Sequence, residues 1–362
     1  MAAITYQGGL SIDEVRNRSK VTQIHKLSSN ENPRGPSPAV VAAIQAVATT
    51  LNIYPPRGDE SLRQALVETH QRGLTLDHFF CANSGSEVLQ SICRAFLQPG
   101  DDFLICSPTF GAYVRFAGAQ GANAIDSPLR ARDFSYDLEA ILAAVTPRTR
   151  LFFLCNPNNP TGTIMTAADF ATLLERLPPH VMVVADQVYE HYVTRPDYPD
   201  TIVHVVAEKP VIIVQTFSKG YGLAGLRLGY AIAPPTITAQ LRRQVRNFHL
   251  SSIALAAGVA ALGDQGYMHE SARLATAGKE YLYGELERLH VQTWPSEGNF
   301  LLIRPDRPAQ AVYDGLLARG VMVRPMDTFG YPAGLRVTVG SPEANAAFIA
   351  ALEEVLQEEV AA

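Results

Sequence analysis

The chain has 362 residues, of which 47% are apolar and 18% charged, with a formal net charge of −5. That length allows two lobes around substantial cores, and the slight acidic excess argues against a nucleic-acid partner, which needs basic surface to hold phosphates. No apolar run approaches the roughly 18 residues of a membrane helix, and Met1 to Leu10 lacks the basic-then-apolar order of a signal peptide, so the protein reads as cytoplasmic and free of membranes.

The first 35 residues carry Gly, Pro and Asn rather than a periodic pattern, which suggests an arm lying across a surface. From Phe79 onward, Phe103–Cys106, Leu151–Cys155, Val181–Ala185 and Val211–Gln215 read as buried strands. Glu87–Leu97 and Ala167–Leu177 have helical apolar spacing. Strands alternating with helices predict an α/β large domain with a mostly parallel central sheet. Beyond residue 245 the chain turns helical, and Asn299–Arg304, Val321–Arg324 and Leu335–Val339 then predict strands of a smaller α+β domain. The expected division is an arm with part of the small domain at 1–35, a large domain at 36–245 and a small domain at 246–362. Cys81, Cys93, Cys106 and Cys155 have neither CxxC nor zinc-site spacing and read as buried free thiols, and no metal site is expected.

In open parallel sheets ligands sit beyond the carboxyl ends of the strands. Unusual residues gather there, after Ala82, Cys155, Ala185 and Thr216. The first of these, Asn83-Ser84-Gly85-Ser86-Glu87, joins a strand to a helix and presents backbone N–H groups and hydroxyls to an anion. After the next strand, Ser107-Pro108-Thr109-Phe110 brings an aromatic ring to a strand end. Asn156-Pro157-Asn158-Asn159-Pro160-Thr161-Gly162 is a turn that fixes an amide at another strand end. In Val183-Val184-Ala185-Asp186-Gln187-Val188-Tyr189 an apolar strand closes on an acid, with a phenol three residues later. Thr216-Phe217-Ser218-Lys219-Gly220-Tyr221-Gly222 sets one of only five lysines between a buried strand and a glycine-rich loop, where a desolvated amine loses its proton readily and can attack an aldehyde. Arg227, eight residues on, can pair with a phosphate in fork geometry. Near the C-terminus, Gly334-Leu335-Arg336-Val337 interrupts an apolar strand with an arginine that needs an anion.

The lysine loop, the Asp186/Tyr189 pair, the Asn159 turn and the stretch Lys26-Leu27-Ser28-Ser29-Asn30-Glu31-Asn32-Pro33 keep the order and approximate spacing of one family. Together they closely resemble the histidinol-phosphate aminotransferases, which are fold-type I, class II pyridoxal-phosphate-dependent enzymes. The likeness runs from Tyr6 to Gly340. It implies that pyridoxal 5′-phosphate is the cofactor, that Lys219 bonds to its aldehyde, that Asp186 faces the ring nitrogen, and that Tyr189 and Asn159 hydrogen-bond the ring's phenolic oxygen. Ser84, Gly85, Ser86, Thr216, Ser218 and Arg227 would hold the cofactor phosphate, and Phe110 would stack on the ring. The family more often shows Gly-Ser-Asp-Glu at the first phosphate turn and tyrosine at the stacking position, so both are departures here. Leu51-Asn52-Ile53-Tyr54-Pro55 resembles the stretch that places Tyr54 on the neighbouring subunit's phosphate, which implies a homodimer with shared sites. Arg336 and Arg324 would bind the substrate's anionic groups, Asn159 and Tyr6 would touch substrate, and Glu31 and Asn32 would form pocket wall. Arg34, where relatives often carry an aromatic or apolar residue, is expected to make the pocket more anion-seeking.

The implied activity is transamination of L-histidinol phosphate with 2-oxoglutarate, within histidine biosynthesis. Two enzymatic alternatives stay open, an aromatic amino-acid aminotransferase and a threonine-phosphate decarboxylase. A regulator that keeps the cofactor fold without turnover is disfavoured, because the lysine, acid, phenol and both arginines are all present and no DNA-binding extension accompanies them.

Overall fold

The computed structural model describes residues 12–18, 21 and 23–358. Its main sheet has seven strands in the order Phe79–Ala82, Gly229–Ile232, Val211–Thr216, Met182–Asp186, Thr149–Cys155, Asp102–Ile105 and Asn123–Asp126. Only Gly229–Ile232 runs antiparallel to its neighbours. Apolar residues alternate strictly across the central strands. Phe152, Leu154, Val183, Ala185 and Ile213 enter one core, and Phe153, Cys155, Val184, Ile212 and Val214 enter another on the opposite face. Helices cover both faces, which is why these strands read as continuous apolar runs. All four cysteines are free and buried.

Two strands of this sheet were not foreseen. Gly229–Ile232 lies in what reads as the tail of the lysine loop; it returns between Phe79–Ala82 and Val211–Thr216 and seals the gap between them. Asn123–Asp126 is an edge strand whose side chains are exposed or half-buried, so it lacks an apolar signature.

A smaller lobe is built on a four-stranded antiparallel sheet ordered Arg324–Pro325, Leu335–Thr338, Phe300–Arg304 and Gln292–Thr293. Its core includes Leu282, Leu301, Val312, Val337, Phe348 and Leu352. The predicted strand 321–324 is divided: Val321–Met322 pairs in parallel with His25–Lys26, which ties the N-terminal segment to this lobe, and Arg324 then pairs with Arg336.

The expected boundary at 245 does not match the packing. The helix Ser252–Gly263 lies on the helices Pro38–Ala48 and Glu60–His70. Its Ala254, Leu255, Ala257 and Leu262 share the large-lobe core with Val40, Leu62 and Leu66. The sequence SIALAAGVAALG is apolar nearly all round, as suits a helix enclosed by neighbours. The long helix Gln265–Arg288 then bridges the lobes, with Met268 in the large core and Leu282 and Leu286 in the small one. No helix among the described residues is long and apolar enough to cross a membrane.

Candidate active site

The carboxyl ends of the parallel strands open onto a cavity of about 420 Å³, within the range of small-molecule sites. On its large-lobe wall, Ser84 caps the helix Gly85–Phe96, with φ of 93° and its side chain accepting from the Glu87 N–H. This turn can close against the sheet because residue 229 is glycine: a Cβ there would stand 2.4 Å from the Gly85 nitrogen. The Ser218 N–H donates to Thr216 Oγ1 at 3.1 Å, drawing both hydroxyls into the same corner. Arg227 takes a left-handed φ of 58°, and its Nη1 is steadied by the Ala224 carbonyl at 2.8 Å. Ser84, Gly85, Ser86, Thr216, Ser218 and Arg227 all line the cavity. A helix N-terminus, hydroxyls and one guanidinium around a single space form an anion-binding corner.

Asp186 closes the strand Met182–Asp186 and is 3% exposed. Burial pushes its carboxyl up to about 6, against the pull of the Tyr113 hydroxyl, the Val188 N–H and the charge of Lys219. The Tyr113 hydroxyl donates to Oδ2 at 2.6 Å. Tyr113 was not foreseen as part of this site; its only trace in the sequence is its place one helical turn after Phe110, whose ring it meets edge-on at 5.5 Å. Phe110 itself lines the cavity.

Lys219 stands across from these groups, with its Nζ donating to the carbonyls of Ser29 at 2.9 Å and Asn30 at 3.0 Å. Burial foremost, and then the charge of Arg336, lower its amine to about 7; Glu31 opposes this, and Arg227 and Lys26 add smaller lowering effects. The Tyr189 hydroxyl accepts from Asn30 Nδ2 at 2.9 Å.

The opposite wall comes from the smaller lobe and the segment Ser28–Glu31. Arg336, only 5% exposed, donates from Nη2 to the Ser28 carbonyl at 2.7 Å and from Nη1 to Asn159 Oδ1. Asn159 therefore has its amide N–H groups left to offer a ligand. Arg324 is the cross-strand partner of Arg336, and both line the cavity. Two guanidiniums side by side favour a dianionic guest.

Several expected residues stand elsewhere. Asn32 does not line this cavity: its Nδ2 donates to the Gly220 carbonyl at 3.0 Å and its Oδ1 accepts from the Arg34 N–H. Asn30, two residues earlier, faces the site instead. Arg34 does not make the cavity more anion-seeking, because its guanidinium lies 3.8 Å from the centre of the Tyr267 ring and bonds the Tyr267 carbonyl and Ser271 Oγ. Glu31 does line the cavity and is held by Lys26 at 2.7 Å. Tyr54 is 80% exposed, against Phe248 at 5.1 Å, and is not among the lining residues of its own chain. Tyr6 lies outside the described residues.

The family described as "Aminotransferase class I and II" matches residues 22–352. A histidinol-phosphate aminotransferase of Moorella thermoacetica is 42% identical over 352 residues, covering 97% of this chain and 90% of that protein. One from a Geobacillus species is 41% identical, covering 98% and 96%. Among solved structures, histidinol-phosphate aminotransferase from Sinorhizobium meliloti in complex with pyridoxal-5′-phosphate superposes with a TM-score of 0.86 at 25% identity, covering 97% of this chain and 95% of that one. With the match spanning nearly its whole length, this chain belongs to the class I and II aminotransferases.

Proposed function

We propose that the protein is a pyridoxal-phosphate-dependent aminotransferase that converts L-histidinol phosphate and 2-oxoglutarate into imidazole acetol phosphate and L-glutamate. The observation that carries this reading is the arrangement of three chemistries around one cavity: an anion-binding corner, a buried acid facing an amine of lowered basicity, and a pair of arginines on the far wall. The donor set fits the cofactor. Ser84, Gly85, Ser86, Thr216, Ser218 and Arg227 would hold its phosphate, Asp186 its ring nitrogen, Tyr189 and the Asn159 amide its phenolic oxygen, and Phe110 the ring face.

Bound there, the cofactor supplies an aldehyde for amino-group exchange and an electron sink for charge at the substrate's alpha carbon. The chain's own groups do the rest. Tyr113 holds the Asp186 carboxyl from behind, and a cation facing that carboxyl would return it to the ionised form. Lys219, with basicity lowered to about 7, has a neutral fraction at physiological pH, so its Nζ can take the alpha-carbon proton and give it back. Arg336, braced by Ser28 and Asn159, binds one substrate anion, and Arg324 beside it adds the second charge a phosphate monoester needs.

The exposed run Leu51, Ile53 and Tyr54 supports a homodimer in which Tyr54 completes the partner's phosphate corner. A cytoplasmic location accords with a small-molecule biosynthetic role.

The direct experiment mixes cofactor-loaded protein separately with L-histidinol phosphate and with phenylalanine, following the cofactor's visible absorbance. Fast conversion by histidinol phosphate alone supports the assignment, and preference for phenylalanine moves the enzyme to aromatic amino acids. Carbon dioxide release from threonine phosphate would identify a decarboxylase, and failure to bind the cofactor would overturn the whole reading.

A further inference from the structure

Residues 28–30 offer three consecutive backbone carbonyls to the basic and amide side chains around the cavity. The Ser28 carbonyl accepts from Arg336, that of Ser29 from Lys219, and that of Asn30 from Lys219 and also from Asn299 Nδ2 at 3.2 Å. Such a run of inward carbonyls needs a backbone reversal, and Asn30 supplies it with a φ of 53°, a left-handed conformation that asparagine tolerates better than most residues. Asn30 is 1% exposed and every polar group it has is used. Its N–H donates to Thr338 Oγ1 at 2.8 Å, its Oδ1 accepts from the same hydroxyl at 3.2 Å, and its Nδ2 donates to the Tyr189 hydroxyl at 2.9 Å. Thr338 and Asn299 belong to the smaller lobe, Tyr189 and Lys219 to the larger. A carboxamide provides donor and acceptor at once, which neither a carboxylate nor an aliphatic side chain can do.

We propose that Asn30 is a positioning residue: its left-handed backbone turns the carbonyls of residues 29 and 30 into the resting place of the free Lys219 amine, while its side chain ties the Tyr189 hydroxyl to Thr338 of the smaller lobe. The inference rests on Lys219 being the reacting amine. Carbonyl acceptors stabilise the ammonium over the neutral amine, so they oppose the desolvation that lowers its basicity. The charged groups acting on Lys219 are Arg336, Glu31, Arg227, Lys26 and Asp186, and none of them is the residue substituted.

The test measures Lys219 itself in the full chain freed of cofactor, by reductive methylation across pH and mass-spectrometric quantification of the Lys219 peptide. Asn30→Gly keeps access to the left-handed backbone and removes the amide. Its Lys219 profile should coincide with the unsubstituted chain's, while in the cofactor-loaded enzyme kcat falls roughly tenfold with KM held within about twofold. Asn30→Val disfavours the left-handed backbone, so the profile should move to lower pH, with labelling at pH 6 roughly three- to tenfold faster. If that variant fails to fold, Thr338→Val removes the acceptor of the Asn30 N–H, a backbone tie that Asn30→Gly keeps, and should move the profile in the same direction. An unmoved profile in Asn30→Val or Thr338→Val overturns the proposal, as does a rise in labelling that is equal at every pH, which would signify access rather than positioning. Should the unsubstituted chain show the expected profiles yet transfer no amino group, the positioning stands and the role of Lys219 as the reacting amine falls.

Discussion

The two walls of the cavity are built in contrasting ways. On the large-lobe wall each part comes from one short stretch at a strand end: Ser84–Ser86, Asp186 with Tyr189, and Thr216 to Arg227. The sheet brings these stretches together, but each has its local geometry from its own turn, as with the Ser84 cap or the bond from Ser218 to Thr216. The opposite wall has no such local units. Arg336 is held by Ser28 and Asn159, and Asn30 by Thr338, across separations of 177 to 308 residues. The difference is a division of labour: the wall made of local turns is suited to a permanent guest, and the wall made of long-range ties is suited to one that comes and goes.

If that division holds, substitutions on the large-lobe wall should act on cofactor retention and kcat, and those of the two arginines on the other wall on KM, with Asn30 the exception because its carbonyl and amide serve Lys219 and Tyr189. The largest expected effect is that of Lys219→Ala, where loss of the amine should lower turnover by at least about a thousandfold in a transamination assay; full activity would refute the site. Next comes Asp186→Asn, expected to lower kcat by about 100- to 1,000-fold through loss of charge stabilisation, with substrate KM nearly unchanged. Arg336→Ala should lower kcat/KM for the phosphorylated substrate by about a hundredfold, chiefly through KM, because a buried charged hydrogen-bond donor is lost; a pure kcat effect would blur the two walls. Gly229→Ala places a methyl against Gly85 and should weaken cofactor retention by about tenfold on dialysis, a test of the anion corner that touches no ligand-binding side chain.

A separate effect concerns stability of the cofactor-free chain. Lys219 has a folded value near 7 against 10.5 for the ordinary amine, so its contribution is present above 10.5 and is lost as pH falls through 7. Lys219→Met should therefore raise the melting temperature by an increment that grows as pH falls from 10.5 to 7 and then levels off. Asp186 is raised from 3.8 to about 6, so its contribution is present below 3.8 and is lost as pH rises through 6. Asp186→Asn should stabilise increasingly over that interval, and thermal melts at a series of pH values distinguish the two opposite slopes.

Legibility in the sequence follows the same division. Strands such as Leu151–Cys155 and Val211–Gln215 are visible because burial on both faces demands unbroken apolar runs, and the site residues that end them are visible because polar groups there break the pattern. Gly229–Ile232 was hidden because it follows a glycine-rich loop, and Asn123–Asp126 because an edge strand needs no apolar side chains. Asn32 and Arg34 stand in the same motif as Asn30, yet only the folded chain shows that the first two turn toward Gly220 and Tyr267 and the third toward Lys219. Tyr113 lay one helical turn beyond a residue already singled out, with nothing local to connect it to Asp186.

What the sequence by itself determined is the α/β architecture of the large lobe and the chemistry at its strand ends, because strand burial, helix starts and tight turns are local properties written in adjacent residues. Tertiary structure alone decided which carbonyls receive Lys219, what steadies Asp186 and Tyr189, and where the helix after residue 250 belongs. Those contacts join segments distant along the chain, and hydrogen-bond geometry between such segments exists only once both lobes have packed.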